Sequence, residues 1–410
     1  MARRAQTGLL LAASLGCATI PSAVRAQPIQ QFGELDAGIE RAFRDGVASY
    51  AARDYGRAEA LFRQILDHNP ELLRVRLELA RTLFMAKRDE QADYHFQLAA
   101  GEHPPAQVMR NIVRFREAIR ARRAWRFDVD FGFAPDSNIN SATDKETVDI
   151  HGLPFKLDAN GRARSGTGRF FGGQASVRLN RSGKIPIYLG AYGRWTTHAD
   201  HDFDDAYAGA EAGPEFQLAG GRLRTTATGL MRWYGRRPLV GSIGARLEYD
   251  KLVGGKWTVG GTLLVRHNDY ARRRDVDGWD AEARVSANRP LGPTTLGFAY
   301  AGVERSWAED PGQAFWRQRI GVGVAREIGW GLRPQLSIDI ARQVNDGLLA
   351  PFGKQRRDWQ LQGSVSIYKR DWSLHGFAPS LSLTKTRNLS TLTIYDEKRL
   401  RAEIRLTRAL

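Results

Sequence analysis

From residue 124 to residue 408 the chain alternates large apolar residues with charged or tiny ones, strand after strand, and this period of two constrains the fold more than anything else in the sequence. In the run Arg126, Phe127, Asp128, Val129, Asp130, Phe131, Gly132, Phe133, every second side chain is apolar. The pattern returns at Trp257, Val259, Gly261, Leu263, Val265, at Leu336, Ile338, Ile340, and at Trp359, Leu361, Gly363, Val365, Ile367. A strand built this way has two unlike faces, one suited to lipid or a core and one to water.

A soluble sandwich alternates too, so the connectors must discriminate. About fourteen strands fit between 124 and 408, an even number, as in bacterial outer-membrane barrels. Their connectors fall into two alternating classes. Tight ones centre on Gly220, Gly254 with Gly255, Leu291 with Gly292, Gly329 with Trp330, and Asp371 to Leu374. Longer polar ones cover 135–167, 199–202, 271–276, 308–312, 345–353 and 389–394. Short turns at one end and long loops at the other are the arrangement of a transmembrane barrel. All 10 tryptophans fall between Trp125 and Trp372, mostly near expected strand ends, where aromatic girdles rest at headgroup level.

The chain has no apolar run long enough for a transmembrane helix, so strands must do any crossing. Much of the formal net charge of +16 falls in the strand region. The alternation puts Arg126, Arg194, Arg224, Arg232, Arg246, Arg266 and Arg319 on the lumen face, as a solvated pore wall or as a surface attracting acidic cargo. Nucleic acid is a poor partner for this pattern, since the basic residues are dispersed and no binding motif occurs.

Ahead of the strands, residues 1–26 read as a signal peptide: Arg3 and Arg4, an apolar run from Leu9 to Ile20, then Val24, Arg25, Ala26. The single cysteine, Cys17, falls inside it; a lipidation site there is the competing reading. Residues 27–123 read as a helical domain organised by a repeat. Gly46, Tyr50, Ala58, Phe62 and Pro70 recur 34 positions later as Ala80, Phe84, Ala92, Phe96 and Pro104, which is the tetratricopeptide period. Val108, Ile112, Phe115 and Ile119 then mark a capping helix near 105–122. The string Arg114, Arg116, Arg120, Arg122, Arg123 reads as a solvated linker face. Residues 124–410 complete the chain as the barrel. The fold class is therefore α plus membrane β.

The loop 135–167 opens with Pro135, Asp136, Ser137, Asn138, Ile139 and Asn140, all but Ile139 common turn formers. A connector this long either gates or plugs a lumen or lies over the surface. His198, Asp200, His201, Asp202, Asp204 and Asp205 are the densest metal-capable cluster, with the composition of an ordinary polar loop. No catalytic motif occurs, and His267 and His375 lie far apart in strand order with no nucleophile marked near either, so neither an enzyme nor a cofactor is expected.

The order of these parts resembles the surface lipoprotein assembly modulator (Slam) family. The resemblance is carried by the leader, the short repeat domain, the Pro135 to Asn140 stretch, and the C-terminal runs Gly376 to Pro379, Thr384 to Asn388, Tyr395 and Leu406 to Arg408. It implies an outer-membrane translocon of a Gram-negative bacterium, of the type XI secretion pathway. Such a translocon would move surface lipoproteins or related secreted proteins from periplasm to cell surface. The helical domain would lie in the periplasm and dock a client or a chaperone, and outer-membrane lipid and the barrel assembly machinery would be further partners. An exopolysaccharide exporter is the alternative, since such systems also pair repeats with a barrel. A solute porin with a periplasmic helical scaffold ranks third.

Overall fold

The computed structural model describes residues 37–102, 104–122, 125–179, 185–328, 331–369 and 377–409. The leader with Cys17, Arg123, His375 and the turns at Gly329–Trp330 and Asp371 to Leu374 lie outside them.

Five helices come first: α1 (Ala37–Ala51), α2 (Tyr55–His68), α3 (Leu73–Met85), α4 (Asp89–Gly101) and α5 (Ala106–Arg122). Asp54 caps α2 by accepting the Arg57 backbone N–H at 3.0 Å. The repeat positions do what their sizes dictate. Phe62 and Phe96 are buried between helices, as are Ala58, Ala80 and Ala92. A methyl group at Gly46 would sit 2.7 Å from the Phe62 ring, so this crossing requires glycine. Phe115 of α5 stacks on Phe96 at 5.0 Å and meets the edge of Phe84 at 5.3 Å, closing the open end of the second helix pair.

The barrel strands are β1 (Trp125–Asp136), β4 (Gly166–Leu179), β5 (Ile187–Thr197), β6 (Asp205–Leu218), β7 (Gly221–Tyr234), β8 (Arg237–Val253) and β9 (Trp257–Tyr270). They continue as β10 (Gly278–Pro290), β11 (Thr295–Ala308), β12 (Phe315–Arg326), β13 (Leu332–Leu349), β14 (Lys354–Lys369), β15 (Ala378–Ser390) and β16 (Glu397–Ala409). Each pairs antiparallel with its neighbours in sequence, and β1 pairs with both β4 and β16 to close the ring. The first long loop holds a small separate hairpin, β2 (Thr147–Ile150) with β3 (Leu153–Lys156).

The two faces are sorted as the alternation requires. Phe131, Phe133, Ile243, Val285, Ile320, Leu336 and Leu381 point outward and are exposed, which in a closed sheet means exposed to lipid. Two connectors differ from the sequence reading. Strand β13 runs on to Leu349 through a register shift between Val344 and Leu348, so most of 345–353 is strand rather than loop. On the long-loop side, Gly235 (φ 56°) and Arg236 (φ 61°) make a two-residue turn, tighter than any other connector at that end.

Candidate functional site

All seven arginines assigned to the lumen sit on inward register positions, and six are held in ion pairs. Arg126 meets Asp128 at 2.6 Å, Arg194 meets Glu403 at 3.2 Å, Arg224 meets Glu248 at 3.0 Å and Glu215 at 3.2 Å, and Arg232 meets Asp205 at 2.7 Å. Arg246 lies 3.8 Å from Glu211 and Arg266 3.5 Å from Asp280. Arg319 has no carboxylate within salt-bridge distance among the described residues. Six of the seven cations are therefore held locally by carboxylates of the wall. The carboxylates went unread in the sequence although they alternate on the same face. Arg399, Arg401, Glu403 and Arg405 of β16 complete this network, and applying the period of two to acids as well as bases would have found all of them. Beside them is an uncharged patch: Gln362 and Ser364 on β14 face Thr386 and Thr384 on β15, with Ser364 and Thr384 3.1 Å apart.

The turn-side mouth is covered by α4 and α5, whose side chains reach residues on the lumen face. Gln97 donates to Asn288 Oδ1 at 2.5 Å, and Arg120 lies 3.7 Å from Asp250. Arg116 is 1% exposed: it donates to Asp93 at 2.7 and 3.1 Å, to Thr258 Oγ1 at 3.3 Å and to the Gly255 carbonyl at 3.3 Å. Gly101 packs so closely on Pro290 that a Cβ there would lie 2.5 Å away. Within the arginine string Arg116 and Arg120 thus face the barrel and not solvent, while Arg114 is exposed. Arg122 pairs with Asp89 at 3.0 Å and lies over the Phe84 ring at 4.3 Å.

A second point of attachment is Arg76 of α3. Buried completely, it lies 3.5 Å from Glu102 and 3.4 Å from Glu327 beyond β12, and donates to the Pro70 carbonyl at 2.6 Å. Burial pushes the Glu102 carboxyl up to about 7; the attraction of Arg76 is outweighed, and Glu71 adds to the rise. Beside this triad a cavity of about 250 Å³ opens between α2, α3 and the barrel turns, lined by Arg63, Asp67, Thr294 and Arg326 among others.

At the loop-side mouth the Pro135 to Asn140 stretch forms the root of the first loop. Asp136 takes two hydrogen bonds from Arg399 Nε at 2.9 and 3.0 Å. Asn138, completely buried, donates to the carbonyls of Ala142 and Lys398 and accepts the Ala142 N–H. Ser137 exchanges hydrogen bonds with the Leu400 backbone at 3.0 and 2.8 Å. Asn140 holds the returning arm through the carbonyls of Asn160 and Arg162, and the Ile139 N–H donates to the Arg164 carbonyl. From this root the hairpin reaches across the rim, where Val148 is buried with Leu349, Phe352, Leu392 and Ile394. Arg164 pairs with Asp200 at 3.0 Å, tying the same loop to the β5–β6 connector.

In that connector Asp204 accepts the His198 N–H at 2.8 Å and pairs with Arg236 at 3.0 Å, so the carboxylate fixes loop shape. Among the described residues no cluster of His, Cys, Asp and Glu converges in a metal-holding arrangement. His267 packs edge-on against Trp279, 5.3 Å between centroids.

Comparison with known proteins agrees over both parts. Residues 125–409 match the family model described as surface lipoprotein assembly modifier, and residues 30–96 match the model of that family's N-terminal TPR repeats. The surface lipoprotein assembly modifier of Moraxella catarrhalis is 25% identical over 365 residues, covering 83% of this chain and 67% of its own. Surface lipoprotein assembly modifier 1 of Neisseria meningitidis serogroup B is 24% identical over 386 residues, covering 89% and 75%. The hemophilin secretion modulator of Acinetobacter baumannii is 21% identical over 377 residues, covering 87% and 76%. Among solved structures, the outer membrane channel DcaP of A. baumannii overlays 69% of this chain and 96% of its own at TM-score 0.40 and 10% identity.

Proposed function

Because the chain belongs to the surface lipoprotein assembly modifier family, we propose that it is a translocon, a barrel in the outer membrane that passes surface lipoproteins or related secreted proteins from periplasm to cell surface. The reading rests on one arrangement: a lipid-facing barrel carries a tetratricopeptide domain directly over its turn-side mouth. In it, residues 1–26 export the chain and the barrel assembly machinery inserts it. Residues 37–122 receive a client, or the periplasmic chaperone that delivers it, and the loop rooted at Asp136 to Asn140 gates the far mouth. The names of two relatives support the choice of client, one specifying surface lipoproteins and the other secretion of hemophilin.

Exopolysaccharide export is the second reading. It is weakened by the lumen arginines, six of which are already held by carboxylates and would have to leave them to bind an acidic polymer. The test is deletion of the gene in cells that co-express a candidate lipoprotein, followed by protease shaving of intact cells. Loss of the shaved fraction is expected, and a client still exposed without this chain would overturn the translocon. Removing residues 34–122 alone should leave an inserted barrel that no longer delivers client; undiminished delivery would remove the docking role.

A further inference from the structure

The seam between β1 and β16 closes the barrel. Its register runs from Asp128 opposite Ala409 to Phe133 opposite Ile404 and resumes only at Asp136 opposite Arg401, a shorter run than at any other seam among the described residues. The interruption falls at Ala134 and Pro135, and proline has no N–H to contribute. At Gly132 the β16 backbone comes so close that a Cβ would lie 1.9 Å from the Ile404 carbonyl oxygen, so no side chain interlocks there.

What the backbone lacks, lumen-side charges supply. Asp136 holds Arg399, Asp130 lies 3.7 Å from Arg405, and Arg194 of β5 reaches over β4 and β1 to Glu403 on β16. These bonds face a polar lumen where carboxylates and guanidiniums can exchange partners, whereas backbone hydrogen bonds turned toward hydrocarbon cannot be replaced. On the outer side of the same seam Phe131 and Phe133 of β1 meet Leu406 and Ile404 of β16.

We propose that this seam is the route by which the acyl anchor of a lipoprotein client crosses the barrel wall. The inference rests on the translocon reading. The polypeptide occupies the polar lumen while its acylated N-terminal cysteine stays in lipid, and the chain threads between β1 and β16 where the two join. Drawing acyl chains through the lumen instead would set every methylene against paired charges and water, a cost that grows with each one. The seam avoids that cost, since its outer side is continuous with the bilayer and its inner side is latched by exchangeable ion pairs.

The test uses the full chain in phosphatidylethanolamine–phosphatidylglycerol vesicles and a synthetic triacylated cysteinyl peptide with photo-leucine beside the acylated cysteine. The variant F133C/I404C closes the seam by a disulfide when oxidised, and V285C/A301C, on facing positions of β10 and β11, is the control. Light should label lumen-facing Asp130, Arg405 and Thr407 in the unlocked chain. Oxidation of the seam pair should cut that labelling at least tenfold, reduction should restore it, and the control lock should leave it unchanged. Asp136→Asn, which weakens the latch without touching the paired backbone, should raise labelling several-fold and gives a second reading if the cysteine pair does not form. Equal labelling of locked and unlocked chains, or labelling confined to lipid-facing positions in both, would overturn the seam route. Neither result depends on export in cells, so a failure here and a failure of the gene-deletion test are separate outcomes.

Discussion

The two mouths of the barrel are covered by different balances of polar and apolar contact. At the turn side the cover is a separately folded domain, and several of its links are side-chain hydrogen bonds and ion pairs, Gln97 to Asn288, Arg116 to Thr258, Arg120 to Asp250 and Arg76 to Glu327. At the loop side the cover is the barrel's own connector, sealed by the apolar cluster of Val148, Leu349, Phe352, Leu392 and Ile394 and rooted through the backbone of β16. Polar links between preformed units can part when water takes over the groups on both sides. An apolar cluster has no such alternative, since opening it exposes its whole area at once. Parting the turn-side cover thus exchanges polar partners for water, whereas parting the loop-side cover exposes apolar area.

The strongest challenge to this contrast is Arg116→Ala. It leaves Asp93 without its guanidinium partner and breaks two links to the barrel, at a cost of about 3–5 kcal/mol, as for other broken buried pairs. Hydrogen exchange across α4 and α5 in the detergent-solubilised chain should accelerate while the strands stay protected; accelerated exchange in the strands would show that the covering domain is not separable. Leu392→Ala attacks the other cover, and removing a side chain 2% exposed from a small cluster costs roughly 2–4 kcal/mol. Protease should then cut within 144–160 on intact cells, and unchanged resistance would mean that the root alone holds the loop.

A smaller effect concerns pH. Between the ordinary carboxyl value of 4.5 and the folded value of about 7, the unfolded helical domain has given up a proton that Glu102 still holds. Its contribution to stability is therefore complete below 4.5, declines through that window and is gone above 7. Protection of the last turn of α4, corrected for intrinsic exchange, should fall from pH 5 to pH 8, and Glu102→Gln should flatten the profile. A slope that survives the substitution would place the titration elsewhere. The least effect should come from Arg319→Gln, within about 0.5 kcal/mol in stability, with a reduced preference for anions in single-channel conductance. A large thermal shift would mean Arg319 has a structural partner.

How much of this was legible beforehand follows from the range of each interaction. Period-two alternation is a local signal, and it placed all fourteen strands to within a few residues, with Phe131 and Arg126 on opposite faces. The 34-residue repeat likewise placed Phe62 and Phe96 in one core. Contacts between the domains leave no such trace: nothing around Arg116 in the chain reveals Thr258, and a run of arginines beside a domain boundary looks like an ordinary hydrated face. The same blindness applied to the Asp136 to Asn140 stretch, whose turn formers were legible but whose partners Arg399, Leu400 and Lys398 lie some 260 positions away. Strand β13 was read as ending early, since the register shift after Val344 breaks the alternation that marked it.

Helix α5 ends at Arg122 and β1 begins at Trp125, which leaves two residues between the covering domain and the wall. Two residues span at most about 7 Å when extended. So short a tether keeps the domain within reach of the opening even when its contacts with the barrel are broken, at a high effective local concentration. Re-formation of those contacts is then a first-order event, indifferent to how many copies the cell makes.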